Sequence, residues 1–288
     1  MTSAQEEFVL RGSPVRVLDD RDLAAARDLL DRDPVANVFV AARLDSAGLD
    51  PWRLGAEVWA HAVGGRLTAL CYAGANLVPV NADAEACRVF AEKARRQGRR
   101  CSSIVGPADQ VGLLWSLLES AWGPAREVRA NQPLMAISDP PRVAPDPLVR
   151  RVTASEIDIL YPACVAMFTE EVGVSPSNGD GGALYRARVA ELIAQGRAFA
   201  RIEDSRVIFK AEVGAATSQA CQIQGVWVEP ALRGRGLANG GMAAVVLQAE
   251  ESIAPVVSLY VNDFNTAARA AYKRVGFAEV GTFMSVLF

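Results

Sequence analysis

The sequence predicts an α/β fold of the mixed-sheet (α+β) kind, and three observations carry that prediction. From Leu148 onward, apolar runs alternate between period two and period 3.6 in the order β-α-α-β-β-β-α-β-α-β. The preceding 138 residues repeat that order faintly. Between them Pro140, Pro141, Pro145 and Pro147 fall within ten residues, a density that resists helix and central strand and predicts an extended linker. The expected organisation is an N-terminal domain over 1–138, a proline-rich linker over 139–147 and a second domain over 148–288.

In the second domain Leu148 to Val152 reads as a short strand and Ser155 to Met167 as a helix. Glu170 to Gly182 is rich in Gly, Ser, Pro and Asn and reads as a loop before a helix from Ala183 to Gln195. Ala198–Ile202 and Val207–Val213 alternate as a hairpin about Glu203-Asp204-Ser205-Arg206, and Ala220–Val228 is a third strand ending at Glu229-Pro230. A helix over Leu237–Glu251, a strand over Val256–Val261, a helix over Thr266–Val275 and a closing strand over Ala278–Leu287 complete the expected domain. The first half offers strands at Val15–Leu18, Glu57–Val63, Leu67–Ala73, Leu77–Val80, Ser102–Val105 and Val128–Ile137. Its helices are expected at Asp20–Leu30, Pro34–Leu44, Ala82–Gln97 and Ala108–Ala121. No residue-level repeat accompanies the shared order, so duplication rests on pattern alone.

Composition narrows the function classes. A 288-residue chain that is 51% hydrophobic and 22% charged is globular, and it can bury two cores of ordinary size. A net charge of -3 gives no global basic field for nucleic acid, and the cluster Arg95, Arg96, Arg99 and Arg100 reads as a solvated helix end complementing the dipole. No apolar run reaches the ~20 residues of a membrane span, and Met1–Arg11 lacks a signal-peptide core, so a cytoplasmic protein is expected. Only three of the thirty cations are lysines, which with the many alanines suggests a bacterial genome rich in G and C. Five widely spaced cysteines form no CxxC pair and read as buried thiols; His61, the one histidine, reads as structural, and no metal site is expected.

The chemistry concentrates in Val226-Trp227-Val228-Glu229-Pro230-Ala231-Leu232-Arg233-Gly234-Arg235-Gly236-Leu237-Ala238. A strand ends at proline, two glycines sit two apart, and a helix begins at once. The free N–H groups of a first helical turn, with the positive end of its dipole, make an anion site. Glycine at 234 and 236 lets the chain turn tightly and a phosphate approach without meeting a Cβ. Arg233 and Arg235 add planar cations at the rim. Each such contact is worth only ~0.3–2 kcal/mol, so several must act together. Downstream, Asn265 suits a helix N-cap, Gly276 a helix end, and Tyr272 lies two turns beyond Asn265.

Together these segments resemble the GNAT N-acetyltransferase superfamily. Arg233, Gly236 and Ala238 fit its Gln/Arg-x-x-Gly-x-Gly/Ala loop, and Asn265, Ala268, Tyr272, Gly276 and Phe277 fit its Asn-x-x-Ala…Tyr-x-x-x-Gly-Phe pattern. The likeness spans about Leu148 to Phe288, and the two-domain layout resembles a bacterial subgroup with an N-terminal domain of unknown function. From the shared element order alone, the first half reads as a degenerate GNAT-like copy. The resemblance implies a GNAT fold in the C-terminal half and acetyl-CoA as co-substrate for transfer to an amine-bearing small molecule or protein. It also implies pantetheine contacts from the backbone of Val226 and Val228, pyrophosphate contacts from the N–H groups of Gly234, Arg235, Gly236, Leu237 and Ala238, a cofactor contact from Asn265, and Tyr272 as general acid near the sulfur.

The base stays open. Some members carry a glutamate where this chain has Gln222, which takes no proton, leaving Glu212, Glu170, Glu171 or a water chain. Glu170 and Glu171 are alternatively recognition groups for a cationic amine. In the first half the corresponding turn reads Val80-Asn81-Ala82-Asp83, with no glycine and an acid at the helix start, so cofactor binding is not expected there; that half would shape a substrate cleft or a homodimer interface. Two rivals accompany this reading. A dinucleotide-binding oxidoreductase would use Gly234-x-Gly236, but Asn239 replaces the third glycine of its fingerprint. A non-catalytic acyl-CoA sensor would bind the cofactor without transfer.

Overall fold

The computed structural model of the protein describes residues 15–177 and 181–288; the reading of Met1–Arg11 and part of the Glu170–Gly182 loop lie outside them. The chain forms two compact units. In the first, β1 (Arg16–Val17) and a short turn lead to α1 (Leu23–Leu30), α2 (Val38–Ala47) and α3 (Pro51–Leu54). Then come β2 (Glu57–Val63), β3 (Arg66–Ala73), β4 (Asn76–Val80), α4 (Ala84–Gln97), β5 (Ser103–Pro107), α5 (Ala108–Trp122) and β6 (Glu127–Ile137). The β2-β3-β4 meander is antiparallel, and β4 and β5 are parallel with register Asn76↔Ser103 and Leu77↔Ile104.

The second unit repeats that order with β7 (Arg150–Arg151), α6 (Ile157–Val172), α7 (Ala183–Ala194), β8 (Ala198–Glu203), β9 (Arg206–Ala216), β10 (Ala220–Val228), α8 (Leu237–Ser252), β11 (Val256–Tyr260) and α9 (Thr266–Val275). Its strands lie in the order β11-β10-β9-β8-β7. The β7 to β10 pairings are antiparallel and β10–β11 is parallel, giving a mixed sheet. Alternation along β9 sends Phe209, Ala211 and Val213 into a core with α8 and α9, while α6 and α7 cover the other face over Ala198, Ala200 and Val207. This mixed α/β architecture is the fold class read from the sequence, and its one parallel pairing beside β10 rules out the parallel sheet that the dinucleotide rival requires.

Several boundaries differ from the sequence reading: α6, expected to end at Met167, runs on to Val172 and carries Glu170 and Glu171 on the helix rather than in the loop. The segment 138–149 has no helix or strand, yet it is held on the second unit: Arg142 N–H donates to Val275 O at 2.8 Å, Asp146 N–H to Gly240 O at 2.9 Å, and Arg201 binds the Asp146 carboxylate. The unit boundary falls earlier, between Leu134 and Met135 inside β6. The final strand, β12 (Ala278–Leu287), expected to close the second domain, belongs instead to the first unit from Glu279 onward. It runs antiparallel to β5 from Phe283↔Pro107 to Leu287↔Ser103. Met284 and Val286 enter the core under α4 and α5, and the Phe288 ring packs edge-on against Trp115 and Trp122.

The cysteines and the histidine sit as the sequence reading expects. All five cysteines are buried free thiols, and His61 is buried on β2 with Thr68 Oγ1 3.3 Å from its Nδ1. Among the described residues no helix is long and apolar enough to cross a membrane, and no three His, Cys, Asp or Glu side chains gather as a metal site.

The place of β12 makes a prediction. Val286 is fully buried in the first unit, so Val286→Ala should cost about 1–3 kcal/mol there. Hydrogen exchange should show the loss of protection at Ser103–Pro107. Loss confined to Val256–Tyr260 would contradict the assignment of the strand.

Candidate functional site

The site grows from a fault in the β9–β10 ladder. Gln224 pairs with Glu212 but Trp227 with Lys210, so β10 carries an extra residue between these rungs, a β-bulge. Gly225 makes the bulge with φ +61°. A Cβ there would meet Met167 Cε at 3.0 Å, Glu212 Cδ at 3.1 Å and Lys210 Nζ at 3.1 Å, so the position has no room for a side chain.

Beneath it lies a buried ion pair. Lys210 is 1% exposed and Glu212 7%; Nζ of Lys210 donates to Glu212 Oε2 at 3.2 Å, and Gln224 Nε2 donates to Oε1 at 3.0 Å. Burial works against the lysine charge, but the facing carboxylate outweighs it and holds the ammonium above its ordinary range. Glu212, a candidate base, is therefore fixed on both oxygens.

Just before the bulge β10 leaves β11. Their parallel pairing joins Ala220, Cys221 and Gln222 to Val256, Val257 and Ser258. Gln222 stands at the last shared rung, and Ile223 to Val228 have no strand partner on that side among the described residues. Glu229 N–H donates to Ile208 O, so alternation turns the amide and carbonyl of Val228 away from β9 toward the opened side. The Val228 carbonyl accepts from Arg233 Nε at 3.0 Å, which leaves the Val228 N–H and the backbone of Val226 as the groups available to a ligand.

Where β10 ends, Pro230–Leu232 forms one 3-10 turn and the chain enters α8 through Gly234 (φ +77°) and Gly236 (φ +78°). Gly236 is the N-cap and has no side chain to accept the free donors of the helix. From Gly234 to Ala238 no backbone N–H makes a hydrogen bond of normal geometry to the described residues. Space above the turn is open: a Cβ on Gly234 would meet nothing within 4 Å, and one on Gly236 only Asn239 at 3.7 Å. Five donors, a helix dipole and the exposed Arg235 thus face one anion-sized opening.

The other candidates are placed as follows. Arg233 turns back to the protein: Nη2 donates to Glu170 Oε2 at 2.7 Å, while Trp227 Nε1 reaches Glu170 Oε1 at 3.3 Å. Glu170 therefore clamps the end of α6 to the turn, and a tether describes it better than a base. Asn265 caps α9, its Oδ1 accepting from Ala268 N–H at 3.2 Å. Tyr272 is buried on α9 within the core under β11, and desolvation, with the nearby charge of Glu171, holds its phenol well above the ordinary range. It is a protonated donor at neutral pH.

Sequence reasoning missed Gly225, Lys210 and Gln224. A glycine inside a strand is a bulge signal, and opposite charges two apart in the apolar run Val207–Val213 mark a pair on one strand face.

The first unit treats the corresponding turn oppositely. Asp83 caps α4 by accepting from Ala86 N–H at 2.8 Å, and Gln110 Oε1 takes the Ala82 N–H at 2.9 Å. An anion there would meet a carboxylate on donors already used.

Residues 186–277 match the acetyltransferase (GNAT) family model, and residues 56–160 match a domain of unknown function, DUF4081. No curated protein matches the chain. Among solved structures, the chain resembles a Drosophila protein with a TM-score of 0.66 at 14% identity, covering 96% of this chain and 99% of that one. A GCN5-related N-acetyltransferase from Sphaerobacter thermophilus aligns with a TM-score of 0.58 at 16% identity over 95% of each chain. A tandem GNAT protein from the clavulanic acid biosynthesis pathway aligns at 0.53 and 15% identity, over 95% of this chain and 98% of its own. The fold is thus the GNAT fold, and the similarity runs through both units.

The buried pair makes a second prediction. Lys210→Met should destabilise the second unit by about 3–5 kcal/mol, because Glu212 stays buried without its cation. Lys210→Met with Glu212→Leu should recover much of that loss in urea unfolding. A double variant less stable than the single one would show that the pair is not the cause.

Proposed function

We propose that this chain, with its GNAT module at 186–277, is an acetyl-CoA-dependent N-acetyltransferase that passes the acetyl group directly to an amine. The observation that supports this most is the turn from Gly234 to Ala238: consecutive unsatisfied N–H donors at an uncapped helix start, beside two parted strands. A pyrophosphate fits that turn, and an extended pantetheine arm fits the opened edge of β10, with the Val228 N–H and the Val226 backbone as its hydrogen-bond partners. Asn265 serves this site indirectly, by fixing the start of α9.

In this reading the amine nitrogen attacks the thioester carbonyl carbon, a C–N bond forms and the C–S bond breaks. Tyr272 gives its hydroxyl proton to the departing thiolate, a role suited to a phenol that burial keeps protonated. The proton lost by the amine leaves through water, because Glu170 is held by Arg233 and Trp227, and Glu212 by Lys210 and Gln224. The same engagement of both carboxylates favours, as a second reading, an acyl-CoA sensor that binds without transfer. The amine acceptor is a small molecule or a protein, and a cytoplasmic location and a homodimer complete the proposal.

The test is calorimetric binding of acetyl-CoA followed by turnover with a panel of amines. Tyr272→Phe should lower kcat about 100-fold while acetyl-CoA affinity stays within about twofold. Gly236→Val, which puts a Cβ into the cradle at φ +78°, should weaken acetyl-CoA binding. Failure of acetyl-CoA to bind would overturn both readings, whereas binding without transfer to any amine would leave the sensor.

A further inference from the structure

The first unit contains a cavity of about 390 Å³ that the acetyltransferase reading does not use. It opens where β2 and β4 begin and α4 ends, near Ala73–Ala75, Leu77 and Gly98–Cys101. The turn that corresponds to the acetyl-CoA site, Val80–Asp83, lies at the other end of β4, about 13 Å along the strand. The cavity is therefore not a remnant of a cofactor site. Its size falls within the ~300–1,000 Å³ usual for small-molecule sites.

Its walls combine an apolar floor with two opposite charges. Trp59, Leu77, Ala94 and Trp122 supply the floor. Glu57 is held in place: its Oε2 accepts from Trp59 Nε1 at 2.6 Å and from Gln97 Nε2 at 3.2 Å, with Lys93 Nζ at 3.7 Å. Burial pushes this carboxyl up, but those hydrogen bonds and the lysine charge outweigh it and keep it ionised below the ordinary range. Its Oε1 has no partner among the described residues. Arg100, on the same cavity, is exposed and likewise has none. A rigid carboxylate and an unpaired guanidinium that share an apolar chamber, but do not bind each other, match a ligand carrying both signs of charge beside an apolar body.

We propose that this cavity is a binding site for an α-amino acid with an apolar side chain: the ammonium meets Glu57 Oε1, the carboxylate meets Arg100, and the side chain lies against Trp59, Leu77 and Trp122. The site stands apart from the acetyl-transfer chemistry and holds whether or not that reading does.

The experiment is calorimetric titration of the full chain with L-leucine and L-phenylalanine, with L-leucinamide and 4-methylpentanoate as single-charge controls. At least one amino acid should bind saturably with one site per chain, and each control about tenfold or more weaker, the scale of one charge-assisted contact. Arg100→Ala, at an exposed position, should keep its thermal unfolding midpoint and lose about tenfold in affinity; Glu57→Gln should lose at least as much. Arg100→Ala and Glu57→Gln should leave acetyl-CoA affinity unchanged, which separates this cavity from the site in the second unit. Absence of saturable binding by both amino acids would overturn the proposal. So would affinity unchanged in Arg100→Ala, or controls that bind as well as the amino acids.

Discussion

The buried pair of Lys210 and Glu212 is the constraint around which the second unit is arranged. Two charges inside a sheet–helix interface are tolerable only when each satisfies the other, and Gln224 completes the carboxylate from the facing strand. The strand above them must then leave the ladder to make room, and only a residue without a Cβ can do so, which places Gly225 there. The bulge shifts the register of β10 on β9, and the strand, parted from β11 after Gln222, runs on to a turn with unclaimed amides. An electrostatic requirement on one face of the sheet thus sets the backbone of the strand that leads into the turn.

The two units show how small a difference decides whether a helix start can hold an anion. At the same point in the element order, Asp83 spends its carboxylate on the helix and Gln110 takes the neighbouring amide, whereas Gly236 offers no side chain at all. Backbone geometry and dipole favour anions at both ends; the side chains decide which end is available. Glu170 adds a further layer in the second unit, because by binding Arg233 and Trp227 it fixes the approach to the turn from α6.

Much of this was legible in the sequence, and the parts that were not share a cause. The order of elements, the turn at Gly234 and Gly236 and the cap at Asn265 are local, and local spacing specifies them. The roles of Glu170 and Glu212 depend on partners elsewhere: Glu170 meets a residue 63 positions later, and no periodicity announces that pairing. Glu212 read as a possible base because a carboxylate on a strand looks alike whether it is free or held by Lys210 and Gln224. For β12, alternation shows that Met284 and Val286 are buried but not against which core, since one apolar strand face fits either equally.

That last strand has a consequence for how the molecule is made. The ribosome completes Met135–Ala278 before it delivers Glu279–Phe288, so throughout that interval β5 lacks its neighbour and the core under α4 and α5 lacks Met284 and Val286. The half translated first is the half finished last. The first half cannot be cut out as a continuous gene fragment and remain whole, because the coding sequence of the second lies between its two parts.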